Sequence, residues 1–508
     1  MNETADYDIC VIGGGINGAG IARDAAGRGL SVMLVEAQDI AGATSSASSK
    51  LVHGGLRYLE QGEFGLVRDS LREREILLKN AAHIVRPLPF VMPHDSHLRP
   101  AWMIRFGLWL YDRIGGKRTL PASGVVDFNT DASGDPLQKK FQRGFTYYDC
   151  WVDDARLVSL NILDARERGA DILTRSAVLN IAPRVKEKGW RITIANIATG
   201  DQIRVTARAV VNAAGPWVQA VLDASQLVQP GVSVRLVKGS HIIVPRLHNG
   251  PQAYILQQED RRVVFALPYE DKFTLIGTTD IAFTGDPTGV AISDEEIDYL
   301  CAAANRFFEK QIAPSDIAHT YSGVRSLYDD GTKNLSKVTR DYKLILDKSR
   351  GAPLLSVFGG KLTTYRHLAE EVVEKLLPYL NNRRRSWTHK TPLPGGDFGG
   401  LTFNQFVENR IAHYAFLPPA LVYRYARAYG SRMDVFIRDS ADIGGLGRYF
   451  GDDVYEAEII YLIVHEFARS VDDILWRRSK LGLHIADKTR QTLEAAFPLL
   501  LAEFMKDD

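Results

Sequence analysis

Five glycines fall within the eight residues GGGINGAG, directly behind the apolar run YDICVI, and no other segment restricts the fold of this chain so tightly. Residues 7–12 read as a short buried strand, apolar at most positions and rich in β-branched side chains. Gly13, Gly15 and Gly18 follow in G-x-G-x-x-G spacing, with Gly20 two positions further on. Residues 17–28 are mostly Ala, Arg and Ile, good material for a helix, and residues 30–35 (LSVMLV) form a second strand ending at Glu36. Glycine permits a tight strand-to-helix turn and lets a diphosphate approach backbone that carries no Cβ. The helix then offers its uncommitted N–H groups and the positive end of its dipole. An acid about 20 residues on accepts hydrogen bonds from a ribose. A glycine-rich turn without a ligand explains the spacing, but not the strand before it, the helix after it and the acid closing the next strand. A nucleotide-binding α/β unit explains all four.

Beyond Glu36 the chain does not enter a third strand. It runs through AQDIAGATSSASSKLVHGGLRYLEQ, rich in hydroxyls and backbone amides and poor in apolar mass. Such a stretch suits the lining of an extended cofactor, with Ser45, Ser46, Ser48, Ser49 and Lys50 near its phosphates or ring. Leu51, Leu56, Tyr58 and Leu59 within it argue for an ordered loop.

At 508 residues the chain exceeds one typical domain, so two or three are expected. Its 62 Lys and Arg balance 61 Asp and Glu, and a net charge of +1 offers nucleic acid no general attraction. Cys10, Cys150 and Cys301 are scattered and form no C-x-x-C pair, which argues against a disulfide framework or a cysteine zinc site and suits a reducing cytosol. No metal is expected. The polar, acidic start MNETADYD lacks the features of a signal peptide, and no apolar run reaches the ~18 to 20 residues of a spanning helix.

GGGINGAG followed by SSASSKLVHGGLRYLE resembles the FAD-dependent glycerol-3-phosphate dehydrogenases, the aerobic respiratory enzymes of bacteria. The likeness recurs in YYDCWVDDARL, VNAAGPWV, VKGSHIIVPR, YILQQEDRRVVFALPY, IGTTD, TYSGVR and LLSVFGGKLTTYRHLAE; it departs at Ser326, where the family pattern has proline. It implies an α/β fold like that of glycine oxidase and D-amino-acid oxidase. A discontinuous Rossmann-type FAD-binding domain (1–80, 145–230 and 351–390) would carry an inserted β-rich substrate-binding and membrane-facing domain (81–144 and 231–350), with a C-terminal helical domain (391–508). The residues agree with this. ARAVVNAAGPWV reads as a strand ending in small residues, and PLLSVFGGKLTTYRHLAEEVVEKLL as strand, glycine turn and helix. VSVRLVKGSHIIVP, RRVVFALPY and FTLIGTTD read as strands of a sheet that roofs the flavin. The linker NNRRRSWTHKTPLPGGDFGG precedes helical patterns such as Ile460, Val464, Phe467 and Val471.

The resemblance implies that FAD is held by Gly13, Gly15, Ile16, Asn17, Gly18, Glu36, Ala37, Thr44, Ser45, Ser48, Ser49, Lys50, Leu51, His53, Val178, Ala213, Gly215, Gly359, Gly360, Lys361, Leu362 and Thr363. The reaction it implies moves a hydride from C2 of sn-glycerol 3-phosphate to flavin N5 and takes a proton from the C2 hydroxyl, giving dihydroxyacetone phosphate. A phosphate dianion calls for guanidinium or ammonium groups, and Arg57, Arg325 and Lys361 stand in glycine-rich, otherwise apolar segments. Thr278 adds a hydroxyl. His241 is the preferred proton acceptor, since an imidazole of pKa about 6.5 is largely neutral at cellular pH. Arg325 or Lys361 stabilises the developing alkoxide or shares the base role, and the sequence does not separate these.

No iron–sulfur or haem ligands are visible, so electrons leave to a membrane quinone or to dioxygen. In residues 98–118, Trp102, Met103, Ile104, Phe106, Leu108, Trp109, Leu110 and Tyr111 make an apolar helix flanked by Arg99, Arg105, Arg113, Lys117 and Arg118. Such a helix suits the headgroup level of an anionic membrane, or an internal or dimer contact. The resemblance favours quinone and peripheral attachment to the inner face of the cytoplasmic membrane, with a homodimer as the expected assembly. The rivals are an amine or 2-hydroxy-acid oxidase on the same fold, and a flavin-binding regulator without turnover.

Overall fold

The computed structural model describes residues 3–95, 99–184, 188–226, 234–260, 262–329, 341–438 and 440–505. Its first sheet is built around β1 (Glu3–Ile12), in the order Lys343–Asp347, Leu354–Phe358, Gln202–Asn212, β1, β2 (Val32–Val35) and Asp171–Leu173. β1 runs parallel to both neighbours, pairing Ile9 with Val32 and Ala209, and a hairpin of Ser176–Pro183 and Trp190–Asn196 extends the sheet beside Gln202–Asn212. Because the strands are parallel, their carboxyl ends share one edge, and the turn from β1 into α1 (Ile16–Gly27) lies there. Helices Asp154–Glu167 and Tyr365–Leu380 pack on α1. A Cβ at Gly20 would sit 2.7 Å from the Tyr365 ring, so glycine lets the helices close together.

A second sheet runs Ile281–Ala282, Val234–Pro245, Phe273–Gly277, Val263–Tyr269, Ala253–Gln257, Val85–Pro93, Arg143–Val152 and Leu51–Val52, with His319–Tyr328 also paired to Val234–Pro245. Side chains alternate along each strand. Ile242, Val244, Leu256 and Ile276 therefore pack with Leu300 and Ala304 of helix Asp294–Asn305, while Gly239, His241, Ile255 and Phe265 face a cavity between the sheets.

Three strands lie elsewhere than the expected boundaries: Leu51–Val52, within the expected 1–80 segment, pairs with Arg143–Val152 in the second sheet, and two more are displaced. Arg143–Val152 belongs to the second sheet, held by its long pairing with Val85–Pro93, and Lys343–Asp347 joins the first by a hairpin with Leu354–Phe358. Composition identifies a strand, not the partner it will choose. Leu98, Val232 and Ser233, at the starts of an expected helix and an expected strand, lie outside the described residues. The C-terminal part is helical, with its own core of Phe406, Tyr425, Tyr429, Phe436, Leu462 and Phe497. Its helix Glu456–Glu466 buries Ile459, Leu462 and Ile463 and exposes Val464, so the stripe expected through Ile460 and Val464 is misplaced. That helix is apolar around most of its circumference, and Phe467, at φ 59°, ends it in the left-handed region.

Candidate functional site

The cavity between the sheets measures about 1210 Å³. On its nucleotide side Gly13 has φ +111°, and a Cβ there would lie 2.6 Å from the carbonyl oxygen of Ala213. Gly15, the residue before α1, caps it with no side chain; the Ile16 N–H donates to Ser45 Oγ at 3.0 Å. The Glu36 carboxylate accepts from the N–H groups of Gly14 and Gln38, while burial raises its pKa. Ala37, Thr44, Ser48, Leu51, His53, Val178, Ala213 and Gly215 continue the wall. Gly359 and Gly360, at φ 73° and 100°, bring the turn before Leu362 and Thr363 against it, and Asn17 donates to the Gly359 carbonyl at 3.2 Å. Thr363 Oγ1 accepts from the His53 N–H at 3.2 Å. An elongated cleft with bare backbone at a helix start and an acid beside it fits a dinucleotide with its diphosphate on the turn.

Two expected cofactor residues do not line this cavity. Gly18 packs on the Gly13 carbonyl, where a Cβ would overlap it, and so shapes the turn from behind. Lys50, at φ 59°, turns inward; its Nζ lies 2.7 Å from Asp154 Oδ2 and 4.7 Å from the Tyr321 ring centroid. An ammonium buried to this degree is stable only when paired, and Asp154 pairs it. Ser46 also faces away, its hydroxyl donating to the Ala43 carbonyl.

The roof carries side-chain chemistry. His241 stacks on Tyr321 of the neighbouring strand, with ring centroids 4.8 Å apart, and its Nε2 lies 2.9 Å from Ser49 Oγ. Gly277 leaves the ring its space, since a Cβ there would overlap it. Burial, reinforced by the charges of Lys50 and Arg325, holds the His241 pKa well below its ordinary value, so the ring is neutral. The Arg325 guanidinium crosses the bare backbone of Gly239 to reach Asp280 at 3.1 Å and Thr278 Oγ1 at 3.3 Å. The peptide between Gly277 and Thr278 is cis. Behind this turn, Glu296 accepts from Thr279 Oγ1 at 2.7 Å and Ser240 Oγ at 2.9 Å, and pairs with Lys238. Lys361 lies over the Tyr58 ring, 3.7 Å from its centroid, and Arg57 stands exposed at the wall. Sequence reasoning missed Tyr58 as a cation partner, Asp280 and Glu296. Asp280 closes the IGTTD segment and was open to notice; Glu296 enters only through the packing of a distant helix.

Residues 8–366 match the family described as FAD dependent oxidoreductase, and residues 386–508 match the C-terminal domain of alpha-glycerophosphate oxidase. The aerobic glycerol-3-phosphate dehydrogenase of Escherichia coli is 50% identical over 478 residues, covering 94% of each chain. The chain belongs to the FAD-dependent glycerol-3-phosphate dehydrogenase family. It is an FAD-dependent oxidoreductase with the expected α/β architecture and helical C-terminal domain. The D-erythritol 1-phosphate dehydrogenase of Brucella abortus is similar too, 49% identical over 490 residues, covering 96% of this chain and 97% of that one. Among solved structures, the glycerol-3-phosphate dehydrogenase of Bacillus halodurans complexed with FAD superposes with a TM-score of 0.80 at 27% identity, over 99% of this chain and 91% of that one.

Proposed function

We propose that this family member oxidises C2 of sn-glycerol 3-phosphate, giving dihydroxyacetone phosphate, and passes the electrons to a membrane quinone. The observation that carries this reading is the lining of one cavity by a neutral imidazole and the Arg325 guanidinium, on paired strands of the second sheet, together with Lys361 and Arg57. FAD, when bound, supplies the two-electron acceptor. Arg325, Lys361 and Arg57 bind the phosphate, with Arg325 aligned by Asp280 and Thr278. His241 accepts the C2 hydroxyl proton while Tyr321 and Ser49 hold its ring in place. The relative named for D-erythritol 1-phosphate favours a second reading, in which the same cations bind the phosphate of a four-carbon polyol.

Anaerobic addition of each phosphate to the holoprotein decides between them. The better substrate bleaches the flavin at the lower concentration, and a quinone analogue restores the colour. Bleaching by glycine instead would overturn both readings. Recovery with dioxygen but not with the quinone analogue would make the protein an oxidase.

Membrane attachment rests on helix Ala101–Ile114. Trp102, Phe106 and Trp109 are 69%, 58% and 47% exposed, and Arg113 lies over the Trp109 ring. No helix among the described residues is long and apolar enough to cross a membrane. Aromatic tips beside arginines suit the interfacial layer, and Ile104 of the same helix lines the cavity. Replacing the three aromatics by alanine should abolish sedimentation with anionic vesicles and leave flavin bleaching intact; light scattering tests the homodimer.

A further inference from the structure

The C-terminal domain contributes none of the described residues lining the cavity, yet it grips the loop that forms the cavity's nucleotide end. Glu36, Ala37, Gln38, Ala41 and Gly42 line that end, while Asp39, in their midst, is 4% exposed and does not. Both Asp39 oxygens are taken by the C-terminal domain. Arg478 donates Nη1 to Oδ2 and Nη2 to Oδ1, each at 2.7 Å, and Arg477 Nε donates to Oδ2 as well. The two arginines close a π-helical turn, Asp473–Arg478. Asp473 of that turn pairs with Arg175, whose backbone N–H donates to the Gln38 carbonyl at 2.9 Å. Arg478 is itself fully buried, its Nε donating to the Glu466 carbonyl at 2.7 Å. The nucleotide domain itself ties the loop's start through backbone, the Glu36 N–H donating to the Leu173 carbonyl and the Glu36 carbonyl accepting from the Ser176 N–H. Past Asp39 the backbone ties are the Ala41 N–H to the Gly14 carbonyl and the Gly42 N–H to that of Asp39.

A buried, bidentate Arg–carboxylate pair has a fixed geometry, and breaking it leaves an uncompensated charge. Here that geometry is imposed on one loop. We propose that Arg478, acting through Asp39, is a positioning residue for FAD, so that retention of the cofactor depends on a domain that never reaches the cavity.

The test uses the full-length holoprotein and follows the rise in flavin fluorescence as FAD is released on dilution. Asp39→Asn and Arg478→Met should each release FAD at least tenfold faster than the unaltered protein. Arg478→Lys, which keeps charge but loses the fork, should fall between. The double variant should be no faster than Asp39→Asn alone, because that substitution already removes the carboxylate Arg478 grips. Glu466→Gln is the control: it weakens the buried side-chain pair with Arg156 but keeps the backbone carbonyl that Arg478 uses, so it should lower the melting temperature without changing FAD release. Unaltered release from Asp39→Asn and Arg478→Met would overturn the proposal. So would equally fast release from Glu466→Gln, since any loosening of the interface would then suffice. Should Arg478→Met fail to fold, the near-isosteric Asp39→Asn decides alone.

Discussion

The turn after β1 and the strand face opposite it both depend on glycine, but for opposite purposes. At Gly13 and Gly18 the missing Cβ lets backbone pack on backbone, which leaves a surface of bare peptide groups of the kind that suits a diphosphate. At Gly239 and Gly277 it makes room for the protein's own Arg325 guanidinium and His241 ring. The nucleotide side thus presents peptide groups and the roof presents titratable and charged ends. Damage to the first should remove the cofactor, and with it everything; damage to the second should leave a fully flavinylated protein that handles substrate badly.

The largest effect is expected from Gly13→Ala. An alanine at φ +111° is strained and its methyl meets the Ala213 carbonyl, so purified protein should be nearly colourless and inactive. Normal flavin content would break the contrast at its root. Next comes His241→Gln, with flavin retained and kcat reduced by roughly 10² to 10⁴, the usual contribution of a positioned base, while KM stays close to that of the unaltered protein. The pH profile sharpens this. With its folded pKa held well below 6.5, His241 remains a competent base as pH falls from 8 through 6.5, so kcat should decline only under more acid conditions. The sign for stability follows. Between the folded and unfolded pKa values the unfolded chain binds the extra proton, so stability should be full above about pH 6.5 and be lost as pH falls below it. His83, which burial pushes down to about 3, acts in the same direction. A smaller effect is expected from Gly239→Ala: the displaced guanidinium should raise KM for the phosphate substrate about tenfold, about 1.4 kcal/mol, without loss of flavin.

The nucleotide side was legible because its parts are contiguous: strand, turn, helix and the acid at the end of β2 fall within thirty-odd residues, each with a local signature. Lys50 shows where such reading stops. It stands among serines that do line the cavity, but one left-handed residue turns its ammonium toward Asp154, a residue distant in sequence. The roof was legible only as positions. His241, Thr278 and Arg325 could be singled out, but their proximity comes from register, His241 opposite Gly277 on one strand and Tyr321 on another. Glu296 behind them and Arg478 behind Asp39 had no sequence signal, since a buried carboxylate or guanidinium acquires meaning only from what packs against it. The same limit misplaced Leu51–Val52, Arg143–Val152 and Lys343–Asp347 between the sheets.

The smallest effect is expected at Arg57, and it probes how far the roof's logic extends toward solvent. Arg325 is part-buried and braced by Asp280 and Thr278, whereas Arg57 is exposed on the cavity wall. Water screens an exposed cation and its side chain must be immobilised to bind, so one such contact contributes about 0.2 to 1 kcal/mol. Arg57→Ala should therefore raise KM by less than about fivefold, and the difference from the unaltered protein should shrink as salt rises, because screening shortens the reach of exposed charges first. Gly239→Ala should keep its penalty under the same salt, its guanidinium working from a partly buried position. A salt-resistant, tenfold or larger loss at Arg57 would show that the segment Leu56–Gln61 closes over bound substrate and buries that arginine, making it part of the roof.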